Sequence, residues 1–172
     1  MNHFVFVQIL GAATLILFVV SLQQRKKESF LLLQMAGTLL FVAQYLLMGK
    51  LTGAVTFSIV ALRGLVFFLY KKKDLKPSLV VLIAFQAALL VSTLFTWQNA
   101  LSLIPLISTA AKTWGTWQDN MKWTRRVSLL SQSCMIAYNL AAAMYTGALT
   151  ELCCLTSTLI AIWRYDFRKI KN

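Results

Sequence analysis

Residues 25–73 read RKKESFLLLQMAGTLLFVAQYLLMGKLTGAVTFSIVALRGLVFFLYKKK. Two apolar runs, 30–48 and 52–70, lie between basic clusters, and the short turn joining them holds only Lys50. Each run has the ~20-residue length that a helix rising ~1.5 Å per residue needs to cross ~30 Å of hydrocarbon. Backbone polar groups have no partner in lipid, so such runs are helical.

The rest of the chain repeats this arrangement. Of its 172 residues, 59% are hydrophobic and 13% are charged, against ~25% charged residues in an ordinary globular domain. Mean hydropathy is +0.70. Further apolar spans are expected at 4–22, 78–97, 101–117, 127–144 and 147–163, which makes seven and leaves no length for a soluble domain. The net charge of +12 would suit a nucleic-acid partner if it formed one face. Instead 14 of the 17 Lys and Arg fall in four patches, 25–27, 71–76, 122–126 and 164–171, which follow spans 1, 3, 5 and 7. A lipid bilayer is the expected partner, and a nucleic acid is not. Basic loops stay on the cytoplasmic side, so the pattern predicts an outside N-terminus and a cytoplasmic C-terminus. The first apolar run lacks a basic segment before it and reads as a span, not a signal peptide. Cys134, Cys153 and Cys154 fall inside spans, where packing suits them better than a disulfide or a metal.

TGAVT at 52–56 recurs as TGALT at 146–150. An offset of 94 lays spans 1–3 on spans 5–7 and leaves span 4 as a connector. Gln34, Thr38 and Tyr45 share one stripe of span 2, and the same offset reaches Ser128, Gln132 and Asn139 in span 6. Polar stripes in spanning helices face protein or a wet cavity. Because one helix separates the triplets, they enter the membrane in the same direction. The expected fold is all-α and polytopic: a parallel 3+1+3 repeat in one membrane domain, with repeats 4–73 and 98–167 and a linker helix 78–97.

The stretch 21–73, WQDN at 117–120, and the segment from TGALTE (146–151) to RYD (164–166) resemble the YgjV-type bacterial inner-membrane proteins. More distantly, the 3+1+3 plan is similar to the SWEET and PQ-loop transporters and the PnuC-type vitamin importers. The resemblance implies a bacterial inner-membrane location and, by the distant analogy, movement of a small solute. This chain has Gln23–Gln24 and Trp117–Gln118 where PQ-loop proteins carry Pro-Gln. Phe57 and Glu151 stand where SWEET-type helices place an asparagine, and a WxxWxxN spacing at 114–120 lies in span 5 where the PnuC pattern implies span 3.

Arg63, Lys112 and Glu151 are ionisable residues within spans, where a charge at the helix centre costs roughly 2.5–3.5 kcal/mol on insertion scales. Glu151 reads as a pathway carboxylate for a cation, proton or polar solute, or as a hydrated or structurally paired glutamate. Arg63 and Lys112 read as pathway cations or as side chains snorkelling to the interface. Tyr138 and Asn139 in span 6, with Gln44 and Tyr45 opposite in span 2, offer hydrogen bonds either to a neutral solute or between helices; Gln132 belongs to the same polar stripe.

The only histidine, His3, stands at the N-terminus, and no catalytic, phosphate-cradling or metal-ligand motif appears. The chain reads as no enzyme, with no cofactor and no metal. It is expected to be an inner-membrane transporter or facilitator of a small polar solute, working by alternating access between the triplets, with homo-oligomerisation left open. The alternative is a non-transporting assembly partner or scaffold on the same fold.

Overall fold

A computed structural model describes the backbone of residues 2–49, 51–95, 97, 103–141 and 145–167, and the side chains of these apart from 2–5, 51–53, 145–147 and 167. His3, Lys50 and the TG of each TGA triplet therefore lie outside the described side chains. Among the described residues there are seven α-helices and no strand: α1 Asn2–Leu22, α2 Lys27–Leu47, α3 Leu51–Lys72, α4 Leu79–Phe95, α5 Leu103–Trp117, α6 Met121–Ala141 and α7 Tyr145–Ile162. A π-helical turn, Trp163–Phe167, follows α7.

Lys27–Leu47 and the Ala54–Lys72 part of α3 are long and apolar enough to cross a membrane by composition, and Phe6–Leu22 and Leu79–Phe95 are shorter apolar helices. Seven helices thus match the expected number, while two of them meet the full length and apolarity of a span. The largest boundary difference is α6, which begins at Met121 instead of 127. Lys122, Arg125 and Arg126 are helical, not loop, and they make the start of α6 strongly polar.

Helix ends follow local chemistry. Glu28 in the first turn of α2 complements the partial positive charge of the helix N-terminus. Gly49, just past α2, takes a positive φ of 68°, and its N–H bonds the Leu46 carbonyl at 3.0 Å. After α3, Asp74 takes the same left-handed region, with its N–H on the Lys71 carbonyl and that of Leu75 on Tyr70. This pair of bonds is a Schellman stop, and Asp is among the few non-glycine residues that tolerate its left-handed position.

The helices close a ring in chain order, each packing on the next and α7 returning to α1. Exposed Leu32, Leu39 and Leu46 repeat every seven residues on α2, as do Val55, Leu62 and Leu69 on α3. Inside, the distribution inverts: every fully buried residue of α6 is polar, namely Thr124, Arg125, Ser128, Ser131, Gln132 and Asn139. Water would reject an apolar outer surface of this extent, whereas lipid matches it.

Glycines let the helices approach. A Cβ on Gly115 of α5 would lie 2.8 Å from the Cβ of Val127 on α6. One on Gly37 of α2 would lie 2.8 Å from the Phe18 ring of α1, which can turn aside. Gly115→Ala is expected to lower stability by about 1–3 kcal/mol through overpacking, and Gly37→Ala by less. Thermal unfolding in detergent measures both, and the reverse order would contradict this packing.

Candidate functional site

The buried polar residues bond partly to their own helix backbones and partly between helices. At the basic end, where α1, α3, α5 and α7 finish, Arg125 of α6 donates from Nη1 to Asp166 Oδ1 at 2.9 Å and from Nη2 to the Gln24 carbonyl at 2.9 Å. The ion pair is nearly enclosed, with side-chain exposures of 4% and 10%. Tyr165, next to Asp166 in the π-helical turn, is flanked by the guanidiniums of Arg25, Arg125 and Arg164. Gln23 Nε2 donates to the backbone carbonyl and hydroxyl of Ser157, at 2.7 and 2.9 Å, and Ser157 Oγ donates to the Val19 carbonyl. These bonds fasten α7 to α1.

Lys27, at the start of α2, points inward and donates to Thr124 Oγ1 on α6. Thr124 in turn donates to the Gly115 carbonyl of α5 at 2.8 Å. Deeper, Arg63 of α3 crosses to α5, where Nη1 donates to Thr113 Oγ1. Its Nε is buried without a partner. Ser108 of α5 and Ser131 of α6 bond hydroxyl to hydroxyl at 2.6 Å. Thr158 of α7 donates to Gln132 Oε1 at 3.0 Å, and the nearby Ser128 hydroxyl has no partner.

Several residues singled out from the sequence stand elsewhere than expected. Arg63 does not snorkel: at 3% exposure it is one of the most enclosed side chains, and it bonds Thr113. Lys112 is half-buried, and its charge acts on both Glu151 and Cys154. Glu151, also half-buried, faces that lysine without closing an ion pair within 4 Å. Gln132 and Asn139 are buried, and Tyr138 is half-buried.

On α2, Tyr45 stacks on Phe57 at 5.2 Å between ring centres, and Phe57 stacks on Phe41 at 5.0 Å. The two positions that differ between the proposed repeats thus sit in unlike settings: Phe57 in an aromatic stack, Glu151 opposite a lysine. Gln44 packs against Gly11 of α1, and its Oε1 is unsatisfied. No hydrogen bond among the described residues joins the Gln44–Tyr45 pair to Tyr138–Asn139.

Two clefts flank this interior. One opens at the basic end and is lined by Lys27, Lys71, Lys76, Trp117, Gln118 and Asp119 among others. Lys76 lies 3.8 Å over the Trp117 ring, whose Nε1 donates to the Pro77 carbonyl. Asp119 is held by Lys71 at 3.1 Å. The other is an apolar groove between Val42 and Leu46 of α2 and Val55, Ile59 and Leu62 of α3, on the hydrocarbon-matching side.

Lys27, Thr124 and Arg125 went unnoticed in the sequence because basic patches read as loops, and Thr113 because its partner Arg63 stands on another helix. Extending the period of Ser128 and Gln132 backward through Thr124 and Arg125 would have drawn both into the inner face of α6. No group of three or more metal-binding side chains occurs among the described residues.

A family model described as Imp-YgjV, bacterial inner membrane protein, matches residues 5–169. The chain belongs to this family. As an Imp-YgjV protein it is a bacterial inner-membrane protein, which accounts for the apolar exterior and polar interior of the ring. No curated protein and no solved structure matches it.

The Arg125–Asp166 pair is expected to behave as an enclosed ion pair. Asp166→Ala, which strands the guanidinium, should cost about 3–5 kcal/mol, and the double variant Arg125→Met/Asp166→Leu should cost less than that single change. A thermal-unfolding cycle in detergent checks this, and additive losses would show that the pair is not coupled.

Proposed function

We propose that this Imp-YgjV protein carries a small polar solute across the inner membrane by alternating access, with no catalytic step. The moving parts would be two three-helix units, 4–73 and 98–167, joined by the helix 78–97. The matching helix bounds support such units: an offset of 94 carries Lys27–Leu47 onto Met121–Ala141, and the start of α3 onto the start of α7. The basic ends would face the cytoplasm, as the positive loops imply.

One observation carries the reading. Buried hydroxyl, amide and charged side chains line the ring interior from Lys27 and Arg125 through Gln132 to Asn139. A helical bundle needing only stability would gain more from apolar packing there, because polar groups within a membrane bundle are expensive and contribute only ~0.6 kcal/mol per interhelical hydrogen bond. A solute path accounts for retaining them. The half-buried Glu151, facing Lys112, is the residue assigned to gate or couple movement, with Gln132, Asn139, Tyr138, Gln44 and Tyr45 as solute contacts and Arg63 as a pathway cation.

Uptake into liposomes holding purified protein, across a panel of charged and uncharged solutes with and without a pH gradient, tests this directly. At least one solute should enter faster than in empty liposomes, and Glu151→Gln should slow that entry by about tenfold or more, the scale on which ~1.4 kcal/mol acts. Uptake equal to empty liposomes for the whole panel would remove the carrier reading. A rate unaltered in Glu151→Gln at every pH would remove the role given to Glu151. A fluorescent-protein fusion at the C-terminus, bright only when cytoplasmic, checks the orientation.

A further inference from the structure

The chain has only five Asp and Glu side chains, so each can be followed. Glu28 is exposed, and Asp74 is exposed in the turn after α3. Asp119 pairs with Lys71, Asp166 pairs with Arg125, and Glu151 faces Lys112. None pairs with Arg63 or Lys27. Yet both cations are buried, at 3% and 7% exposure. Each holds a single threonine hydroxyl, Thr113 and Thr124 respectively.

The charge of Asp119 acts on Lys27 without closing an ion pair, no described carboxylate lies within ion-pair distance of Arg63, and a buried donor with no acceptor calls for a missing partner. The open donor also has a direction. Thr113 takes Nη1 of Arg63, while Nε, at the other edge of the guanidinium, has no acceptor. The edge formed by Nε and Nη2 is one that receives a carboxylate or phosphate in two parallel bonds. Lys27, which bonds Thr124 in this interior, also lines the cleft that Lys71 and Lys76 share with Asp119 at the basic end. Three lysines against one carboxylate make that mouth attractive to anions.

We infer that Arg63 and Lys27 form a binding site for an anionic group, the carboxylate or phosphate of a small solute, reached through the lysine-lined cleft at the basic end. The inference deepens the carrier reading by naming its solute class, and rests on it for the route but not for the binding.

Thermal unfolding of the whole protein in phosphatidylcholine nanodiscs, followed by tryptophan fluorescence in a zwitterionic low-salt buffer, reads the binding alone. Inorganic phosphate or acetate should raise the Tm of the wild type in a concentration-dependent way, and glucose should not. Arg63→Met should unfold at a higher Tm than the wild type without anion, since it buries no unpaired charge, and should lose the anion response. Lys27→Met should weaken the response about tenfold or more in apparent Kd. Arg63→Lys, which keeps the charge but not the two-pronged edge, should also weaken it.

A wild type indifferent to both anions, or a response retained in both methionine variants, overturns the site. Stabilisation by phosphatidylglycerol in place of the soluble anions overturns the solute assignment and gives the site to a lipid headgroup. A titration response with no liposome uptake of any solute removes the carrier reading and leaves the site. Glucose uptake with no anion response removes the site and leaves the carrier.

Discussion

Hydrocarbon neither donates nor accepts a hydrogen bond, and in this protein that constraint sorts the side chains. Many leucines and isoleucines go outward, where lipid costs them nothing, while Leu22, Phe30, Leu31 and Phe67 pack inside. Serine, threonine, glutamine and arginine go inward, where they must satisfy one another. Bonds between helices follow: Arg63 to Thr113, Lys27 to Thr124, Thr158 to Gln132, and Arg125 to Asp166. Two of these, Arg63 to Thr113 and Lys27 to Thr124, join helices that are not consecutive in the chain, so they also specify which helix stands opposite which. In a surrounding solvent as apolar as leucine, such directional bonds supply a specificity that area burial alone does not.

The interior is unevenly charged. Around the aromatic stack of Phe41, Tyr45 and Phe57, α2 and α3 meet without a formal charge. On α7, by contrast, the half-buried Glu151 lies within reach of the charge of Lys112. Toward the basic end, cations outnumber carboxylates, and the one enclosed acid, Asp166, is committed to Arg125.

How legible this was in the sequence depended on the physical signal. Helix number and most boundaries followed from apolar length and basic punctuation, and α2 and α3 met the expectation within a few residues. The buried stripe of Gln34 and Thr38, with Ser128, Gln132 and Asn139, was also readable, since its spacing alone puts it on one face. The start of α6 was not, because Lys122, Arg125 and Arg126 carry a composition typical of loops, and only tertiary contacts show that Arg125 turns inward. Arg63 misled for a related reason. Its position a few turns from a helix end permits snorkelling, and the choice between lipid interface and ring interior is made by Thr113, fifty residues away. Pairings of that kind leave no local trace in the chain.

The fastening of α7 to α1 bears on how the chain assembles. Gln23 lies at the end of the first helix, and its amide finds its acceptors on Ser157, 134 residues later. During synthesis, six helices enter the bilayer before that partner exists. Until then the amide must stay near the headgroups or take another acceptor, and the ring stays open along one seam. Closure thus coincides with the arrival of the last helix, and an interrupted chain leaves the seam unzipped with its polar lining facing lipid. Such a species carries its own mark of incompleteness, of a kind that membrane quality control can recognise.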